Sequence, residues 1–257
     1  MKRETVEVDV LIVGGGPAGI SAALHLAQLQ KSRGGTPLAI TVLEKSRDSG
    51  SHMLSGAVFD PSALHHLLPD FESLGAPLGP AVHEDRLLFL TEKRAIRFPF
   101  TPPPLKNDGC YIISLNRFVK WLAEQAESSG VDVINGFAAT EVLYDGDRVV
   151  GVRTGDLGVD RGGERKSNFE PGVDIRAAVT IFADGVRGNL SKTVLQRFRL
   201  DAASQPQSYA LGIKELWEVP IGRVKPGTVM HTLGYPLRSE EFGGGFIYGL
   251  APDRVSL

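Results

Sequence analysis

The first apolar stretch of the chain changes its period where a group of glycines interrupts it. Residues 6–13 are β-branched and apolar, which is typical of a buried parallel strand. Residues 20–30 carry apolar positions at helical spacing. The sequence between them reads Gly14-x-Gly16-x-x-Gly19. The pattern predicts a strand, a tight turn and a helix.

This turn has the chemistry of a pyrophosphate site. Glycines let the chain turn tightly and let its backbone approach the phosphates, while the N-terminus of the helix offers N–H groups to an anion. A second apolar run, residues 38–43, ends in Glu44. That carboxylate can accept hydrogen bonds from both hydroxyls of an adenosine ribose, and it would repel a 2′-phosphate. The order of these features predicts a dinucleotide site rather than a plain strand-turn-helix.

The rest of the pattern favours FAD over NAD, because an NAD domain would continue with regular strand-helix alternation. Here a polar loop follows instead. The predicted elements after it are a helix over 61–68, a β-rich stretch over 85–98, a helix over 115–128, a strand over 131–134, a hairpin over 141–153, a strand over 177–183 and a helix over 189–198.

The strand over residues 177–183 ends in Asp184-Gly185. Ligands of open α/β sheets bind at the carboxyl ends of the strands. If this strand returns to the first sheet, Asp184 and Gly185 meet the cofactor a second time. The alternative is that Asp184 is an ordinary turn residue.

Composition narrows the class of protein. The chain has 257 residues, 42% of them hydrophobic, and a formal net charge of −2. This is enough for one large or two small soluble domains, and it argues against nucleic acid as a partner. Cys110 is the single cysteine, so we expect no disulfide and no metal site built from several cysteines of this chain.

The two ends of the sequence allow predictions about targeting and about truncation. Met1 stands close to the first strand, which leaves no room for an ordinary signal or transit peptide and predicts a cytoplasmic chain. No apolar run reaches the roughly 18 residues of a membrane-spanning helix, so any membrane contact would be monotopic. Residues 254–257 begin an alternating pattern that stops, and we expect the N-terminal part of a longer protein, truncated at the C-terminus.

Several segments together resemble one family. These are GGGPAG, the EK after the second strand, GSHMLSGAVFDP, HEDRLLFLTEK, KWLAEQAESSGV, TIFADGVRGNLSK, ALGIKELWEV and HTLGYPLRSEEFGGGFIYGL. They resemble electron transfer flavoprotein:ubiquinone oxidoreductase. The resemblance implies an FAD oxidoreductase that takes electrons from electron transfer flavoprotein and reduces ubiquinone at the inner membrane, on the cytoplasmic face in a bacterium. It also implies a 4Fe–4S cluster, whose cysteine ligands this chain lacks.

The resemblance also assigns residues. Gly14, Gly16, Gly19 and Glu44 would hold FAD, and Ser55 and Gly56 would approach the flavin. Gly243 and Gly244 would lie beside the quinone headgroup, where the alternative is a bulge or hairpin turn. Residues 52–72 would belong to the membrane-associated surface, although core packing is the more common explanation of the helical apolar stripe within them. The Pro-rich residues 98–105 would line the membrane side or form a rigid connector.

The predicted fold class is α/β, with a doubly wound, three-layer, Rossmann-like FAD domain over residues 1–204, discontinuous and carrying β-rich insertions. A β-rich quinone domain begins over residues 205–257, where a new alternating strand starts, and missing pairing partners would leave exposed edges and poor solubility. Two alternatives share this architecture. One is an NADPH-dependent FAD hydroxylase or isoprenoid reductase, and the other is a cofactor-free binding module or inactive part of such a protein.

Overall fold

The computed structural model describes residues 3–54, 56–160 and 162–257. Ser55, which we predicted to approach the flavin, lies outside the described residues. The chain forms two compact units, each assembled from separate segments. Unit 1 consists of Met1–Met53 and Val119–Ser208, and unit 2 of Leu54–Phe118 and Tyr209–Leu257.

In the described residues the elements follow one another as β1 (Thr5–Val13), α1 (Pro17–Arg33), β2 (Ile40–Glu44), β3 (Ala57–Phe59), α2 (Ser62–Leu67), β4 (Glu84–Leu90), β5 (Ala95–Arg97), a 3-10 turn (Pro103–Leu105), β6 (Tyr111–Ile113), α3 (Leu115–Ser128), β7 (Asp132–Asn135), β8 (Ala139–Asp145), β9 (Arg148–Thr154), β10 (Leu157–Val159), β11 (Arg165–Glu170), β12 (Asp174–Phe182), α4 (Asn189–Phe198), β13 (Leu216–Glu218), β14 (Thr228–Gly234), β15 (Gly245–Ala251) and β16 (Arg254–Ser256).

Unit 1 is built on a six-stranded sheet in the order β7-β2-β1-β12-β9-β8. The first four strands run parallel, and β9 and β8 add an antiparallel hairpin at one edge. The predicted return of the strand ending at Asp184 is confirmed, because β12 pairs with β1 over its full length, from Thr5 with Asp174 to Val13 with Phe182.

Helices cover both faces of this sheet. On one face Gly19 of α1 approaches Ile12, which alternates along β1 with Leu11 and Val13. On the other face Leu11 and Val13 join a buried cluster that includes Leu190 of α4. The helices begin and end close to the predicted bounds, and α3 and α4 coincide with them.

Unit 2 contains a second six-stranded sheet in the order β13-β16-β15-β14-β4-β5, and a small sheet of β3 and β6. The pair β14–β4 is parallel, so residues 228–234 lie along residues 84–90. The β-rich stretch predicted over 85–98 is therefore grouped with the C-terminal segment. The prediction of an alternating strand from residue 205 is wrong up to Glu215, because regular pairing begins only at Leu216.

Candidate functional site

Three parallel strands of unit 1 end side by side. Gly14 follows β1, Glu44 ends β2, and Asp184 follows β12. The loop backbone continues the pairing for one more step, since Gly14 N donates to Leu43 O at 2.8 Å and Ala183 N donates to Val13 O at 2.8 Å. Three of the predicted cofactor contacts therefore lie at one edge of the sheet, which is where ligands of this architecture bind.

Gly14 and Gly19 are required by the fold itself. Gly14 has a φ of +112°, and a Cβ there would lie 2.7 Å from the carbonyl carbon of Ala183. A Cβ on Gly19 would overlap the carbonyl oxygen of Gly14 and would lie 3.2 Å from Ile12 Cγ2. These two positions let β12 and α1 approach the turn closely.

Gly16 differs from these two glycines. It caps α1 with a φ of −79° and a ψ of −178°, a conformation open to any residue. A Cβ there would meet only the Met53 methyl group, at the ordinary contact distance of 3.8 Å. Neither backbone conformation nor packing among the described residues requires a glycine, so the missing side chain leaves space at the start of a 17-residue helix. This space fits a pyrophosphate.

Glu44 is held in place before any ligand arrives. Its side chain is buried, and Gly15 N donates to Oε2 at 2.8 Å. Ser46 donates to Oε1 from both its peptide nitrogen and its hydroxyl, each at 2.8 Å. Gly15 itself must lack a side chain, because a Cβ would lie 2.8 Å from Glu44 Cβ. The carboxylate is thus fixed at the end of β2, where the sequence predicted a ribose acceptor.

Asp184 has a structural task that the sequence did not reveal. Its Oδ2 accepts hydrogen bonds from Leu190 N at 3.0 Å and Ser191 N at 3.2 Å, and Oδ1 accepts one from the Ser191 hydroxyl. The carboxylate therefore caps the N-terminus of α4. Gly185, which follows it, has a φ of +87° and open space around its Cα. Contact of Asp184 and Gly185 with a cofactor stays a prediction.

Gly56 of unit 2 is fixed on two sides. Its φ is +75°, and a Cβ would lie 2.5 Å from Ser256 Cβ. Its carbonyl oxygen accepts a 2.7 Å hydrogen bond from Lys214 Nζ. Lys214 also lies over the ring of Phe246, at 5.1 Å from its centre. Burial lowers the pKa of the Lys214 ammonium. Lys214 is a polar anchor that the sequence analysis missed, since nothing local to its segment indicates a partner 158 residues away.

Gly243 and Gly244 lie directly before β15 in unit 2. A Cβ on Gly244 would lie 2.5 Å from the carbonyl oxygen of Thr232, and one on Gly243 would lie 2.9 Å from Leu237 Cδ1. Packing against backbone therefore accounts for glycine at position 244, whereas the contact at Gly243 is with the movable end of a leucine side chain. Their predicted place beside a quinone headgroup stays a prediction.

The membrane-related segments are partly explained by packing. Leu64 and Phe71, from the predicted apolar stripe, are 4% and 1% exposed, so these two side chains belong to the core. In the Pro-rich segment Phe98 and Phe100 are exposed at 38% and 68%, beside a cavity of about 310 Å³. Within the described part of the chain, no helix combines the length and apolar character needed to cross a bilayer.

The sheet and glycine turn of unit 1 define a Rossmann-like α/β protein. Residues 12–70 match the family described as NAD(P)-binding Rossmann-like domain. A geranylgeranyl bacteriochlorophyll reductase-like protein from Thermoplasma acidophilum superposes with a TM-score of 0.63 at 22% identity, covering 98% of this chain and 56% of that one. The myxobacterial chondrochloren halogenase gives 0.58 at 20% identity, covering 98% and 52%. The predicted fold class is confirmed.

The particular resemblance comes from sequence. Residues 209–257 match the family described as ETF-QO, ubiquinone-binding. Electron transfer flavoprotein-ubiquinone oxidoreductase from Dictyostelium discoideum is 48% identical over 99% of this chain, which spans 42% of that protein. The Pseudomonas aeruginosa protein is 45% identical over 99%, spanning 47% of its length. The predicted resemblance to the N-terminal part of these enzymes is confirmed, and the chain spans less than half of each of these two relatives.

Proposed function

We propose that this chain is part of an FAD oxidoreductase that passes electrons from reduced electron transfer flavoprotein to ubiquinone. The observation that carries the proposal is that Gly16, with open space beside it, and the fixed Glu44 carboxylate lie at one edge of the sheet. The sequence comparison supports it, because a relative named electron transfer flavoprotein-ubiquinone oxidoreductase is 48% identical to this chain. FAD, when bound, supplies the electron-carrying chemistry. The chain's own residues would bind and orient it.

Each contributing residue has a defined task in this proposal. The backbone around Gly14, Gly16 and Gly19 would receive the pyrophosphate at the N-terminus of α1. The Glu44 carboxylate would accept hydrogen bonds from the adenosine ribose. Asp184 and Gly185 would present backbone to the cofactor while the Asp184 side chain holds α4 in position.

Unit 2 would provide the quinone side. Gly56 would approach the flavin, and Gly243 and Gly244 would lie beside a quinone headgroup. Because ubiquinone is dissolved in the bilayer, the protein would be peripheral to a membrane. In a bacterium this would be the cytoplasmic face of the inner membrane, and the mitochondrial inner membrane in a eukaryote.

The test begins with the visible absorption spectrum of the purified full-length protein, followed by release and identification of the flavin. Ubiquinone reduction is then assayed with reduced electron transfer flavoprotein as donor. We expect bound FAD and quinone reduction. A protein that neither contains nor takes up FAD contradicts the cofactor assignment. A holoprotein that leaves ubiquinone oxidised, but whose flavin is bleached by NADPH, contradicts the reaction and favours a hydroxylase or reductase.

A further inference from the structure

The starting observation is the number of acceptor positions on Glu44. A carboxylate offers about four lone-pair positions. In the structure Oε2 uses one for Gly15 N–H, and Oε1 faces both the N–H and the hydroxyl of Ser46. With all three bonds in place, only one position is left, on Oε2. A ribose with two neighbouring hydroxyls would need two.

The Ser46 hydroxyl can resolve this shortage. Its oxygen lies 2.8 Å from Glu44 Oε1 and 2.8 Å from the backbone carbonyl oxygen of Asp48. One hydroxyl carries one proton, so it donates to one of these acceptors at a time. The Asp48 carbonyl already accepts from Ser51 N at 3.1 Å, and a carbonyl oxygen has a second lone pair for Ser46.

The rest of Ser46 is fixed, so the change requires only rotation of the O–H bond. Gly136 N donates to Ser46 O at 2.8 Å, and Phe137 N donates to Glu44 O at 3.0 Å. These bonds hold the segment against the turn after β7. Ser46 is also 3% exposed, which excludes bulk water as a competing partner for its hydroxyl.

Building on the FAD site proposed above, we propose that the Ser46 hydroxyl is a placeholder for a ligand hydroxyl. In the apoprotein it donates to Glu44 and satisfies a buried carboxylate. When a ribose is bound it donates to the Asp48 carbonyl instead, so that each carboxylate oxygen accepts one ribose hydroxyl. Ser46 is thereby a positioning residue that acts through Glu44.

Ser46→Ala should destabilise the apoprotein more than the FAD-bound protein. In the apoprotein the substitution removes a hydrogen bond to a charged group, whereas in the holoprotein it removes one to a neutral carbonyl. Bonds to charged groups are the stronger class. The melting temperature of the apoprotein should therefore fall by more than that of the FAD-saturated protein. By linkage, the variant should bind FAD about five-fold more tightly than the wild type.

Ser49→Ala is the matched control. Ser49 lies in the same loop, is also buried, and donates its hydroxyl to Asn135 Oδ1 at 3.0 Å. Removing this hydroxyl should lower both melting temperatures equally and leave the FAD affinity unchanged. The measurements are thermal unfolding of apoprotein and holoprotein and a fluorescence titration of apoprotein with FAD, all on the full-length chain.

The outcomes of these measurements distinguish the placeholder role of Ser46 from a purely structural role. Tighter FAD binding by Ser46→Ala, with the larger melting loss in the apoprotein, supports the placeholder. Unchanged or weaker binding overturns it, because the hydroxyl then stays on Glu44 in both states. Should the alanine apoprotein not fold, Ser46→Cys keeps a weaker donor and should shift affinity in the same direction by less. A wild-type chain that fails to bind FAD at all contradicts the proposed function instead.

Discussion

Gly14 and Gly16 in the turn after β1 are glycines for different physical reasons, so alanine at each should affect stability differently. Gly14→Ala forces a side chain into a backbone with a φ of +112° and against Ala183, so we expect a loss of at least about 2 kcal/mol of unfolding free energy. Gly16→Ala meets only the Met53 methyl group, and we expect a change within about 1 kcal/mol.

Gly16→Ala should weaken FAD binding although it has little effect on stability. The Gly16→Ala methyl group occupies the space assigned to the pyrophosphate, so FAD binding should weaken by at least about ten-fold although the protein stays folded. Urea unfolding and an FAD titration on the two variants test this pair. A Gly16→Ala protein with wild-type affinity would contradict the pyrophosphate assignment.

Asp184 caps α4 and is also proposed to contact the cofactor. A comparison of Asp184→Ala with Ser191→Ala distinguishes these two roles. Asp184→Ala removes the acceptor of two backbone N–H groups at the start of α4, and should cost about 1–2 kcal/mol of unfolding free energy. Ser191→Ala removes one hydroxyl bond to the same carboxylate, for which about 1 kcal/mol is expected.

Asp184→Ala should also weaken FAD binding more than Ser191→Ala does, because the Asp184 carboxylate anchors the backbone of residues 184–185 that is proposed to contact the cofactor. Unfolding in urea gives the stability, and titration of each apoprotein gives the affinity. Equal FAD affinities of Asp184→Ala and Ser191→Ala would leave Asp184 as a helix cap alone.

Strands β9 and β12 are joined by an ion pair that predicts a pH dependence. Arg153 Nε donates to Asp174 Oδ1 at 2.6 Å, and hydrogen bonding to Arg153 holds the pKa of the Asp174 carboxyl below its usual value. A carboxyl with a lowered pKa in the folded state stabilises the fold above its ordinary pKa. This contribution is lost as the pH falls through the folded value.

Asp174→Asn should therefore cost about 1 kcal/mol at pH 7 and progressively less in acid, as measured by urea unfolding at several pH values. Asp147→Asn is the control, because the Asp147 side chain is 98% exposed and lies 3.8 Å from Arg197. A cost for Asp174→Asn that does not change with pH would contradict the ionic origin of the effect.

Elements with a clear period could be predicted from the sequence, and those fixed by distant partners could not. The amphipathic pattern gave α3 and α4 with their bounds, and the β-branched run before Gly14 gave β1. The hairpin of β10 and β11 was missed, because Arg165–Glu170 has no apolar alternation. The strand predicted from residue 205 shortened to Leu216–Glu218, where β16 provides the pairing.

The candidate site was predictable to the same extent. Gly14, Gly16, Gly19 and Glu44 follow from local order along one strand-turn-helix-strand segment. Ser46 sits two residues beyond Glu44 with no pattern to mark it, and its role depends on where a hydroxyl points. Lys214 meets Gly56 only through the tertiary fold. Side chains that act across the fold carry no local signal.

Exposed apolar side chains predict how the chain behaves in solution. Within residues 209–221, Leu211, Ile213 and Ile221 are 94%, 79% and 83% exposed, close to the edge strand β13. Neighbouring exposed apolar groups favour association. We expect the 257-residue chain to associate, and Leu211→Gln with Ile213→Gln to reduce light scattering at a given concentration.

Val186→Gln is the matched control, because Val186 is 79% exposed but belongs to unit 1 rather than unit 2. It should leave scattering unchanged. Association that responds equally to both sets of substitutions would mean that the segment over residues 209–221 is not the cause.

The interleaved assembly of the two units has a consequence for biosynthesis. β1 emerges from the ribosome about 170 residues before its partner β12, and β4 likewise emerges long before β14. At typical translation rates this delay is on the order of ten seconds. Such long-range parallel pairing is slow, and it leaves apolar strands exposed on the nascent chain. Chaperone occupancy on stalled ribosomes should therefore fall in two stages, after residue 182 and after residue 234 have left the exit tunnel.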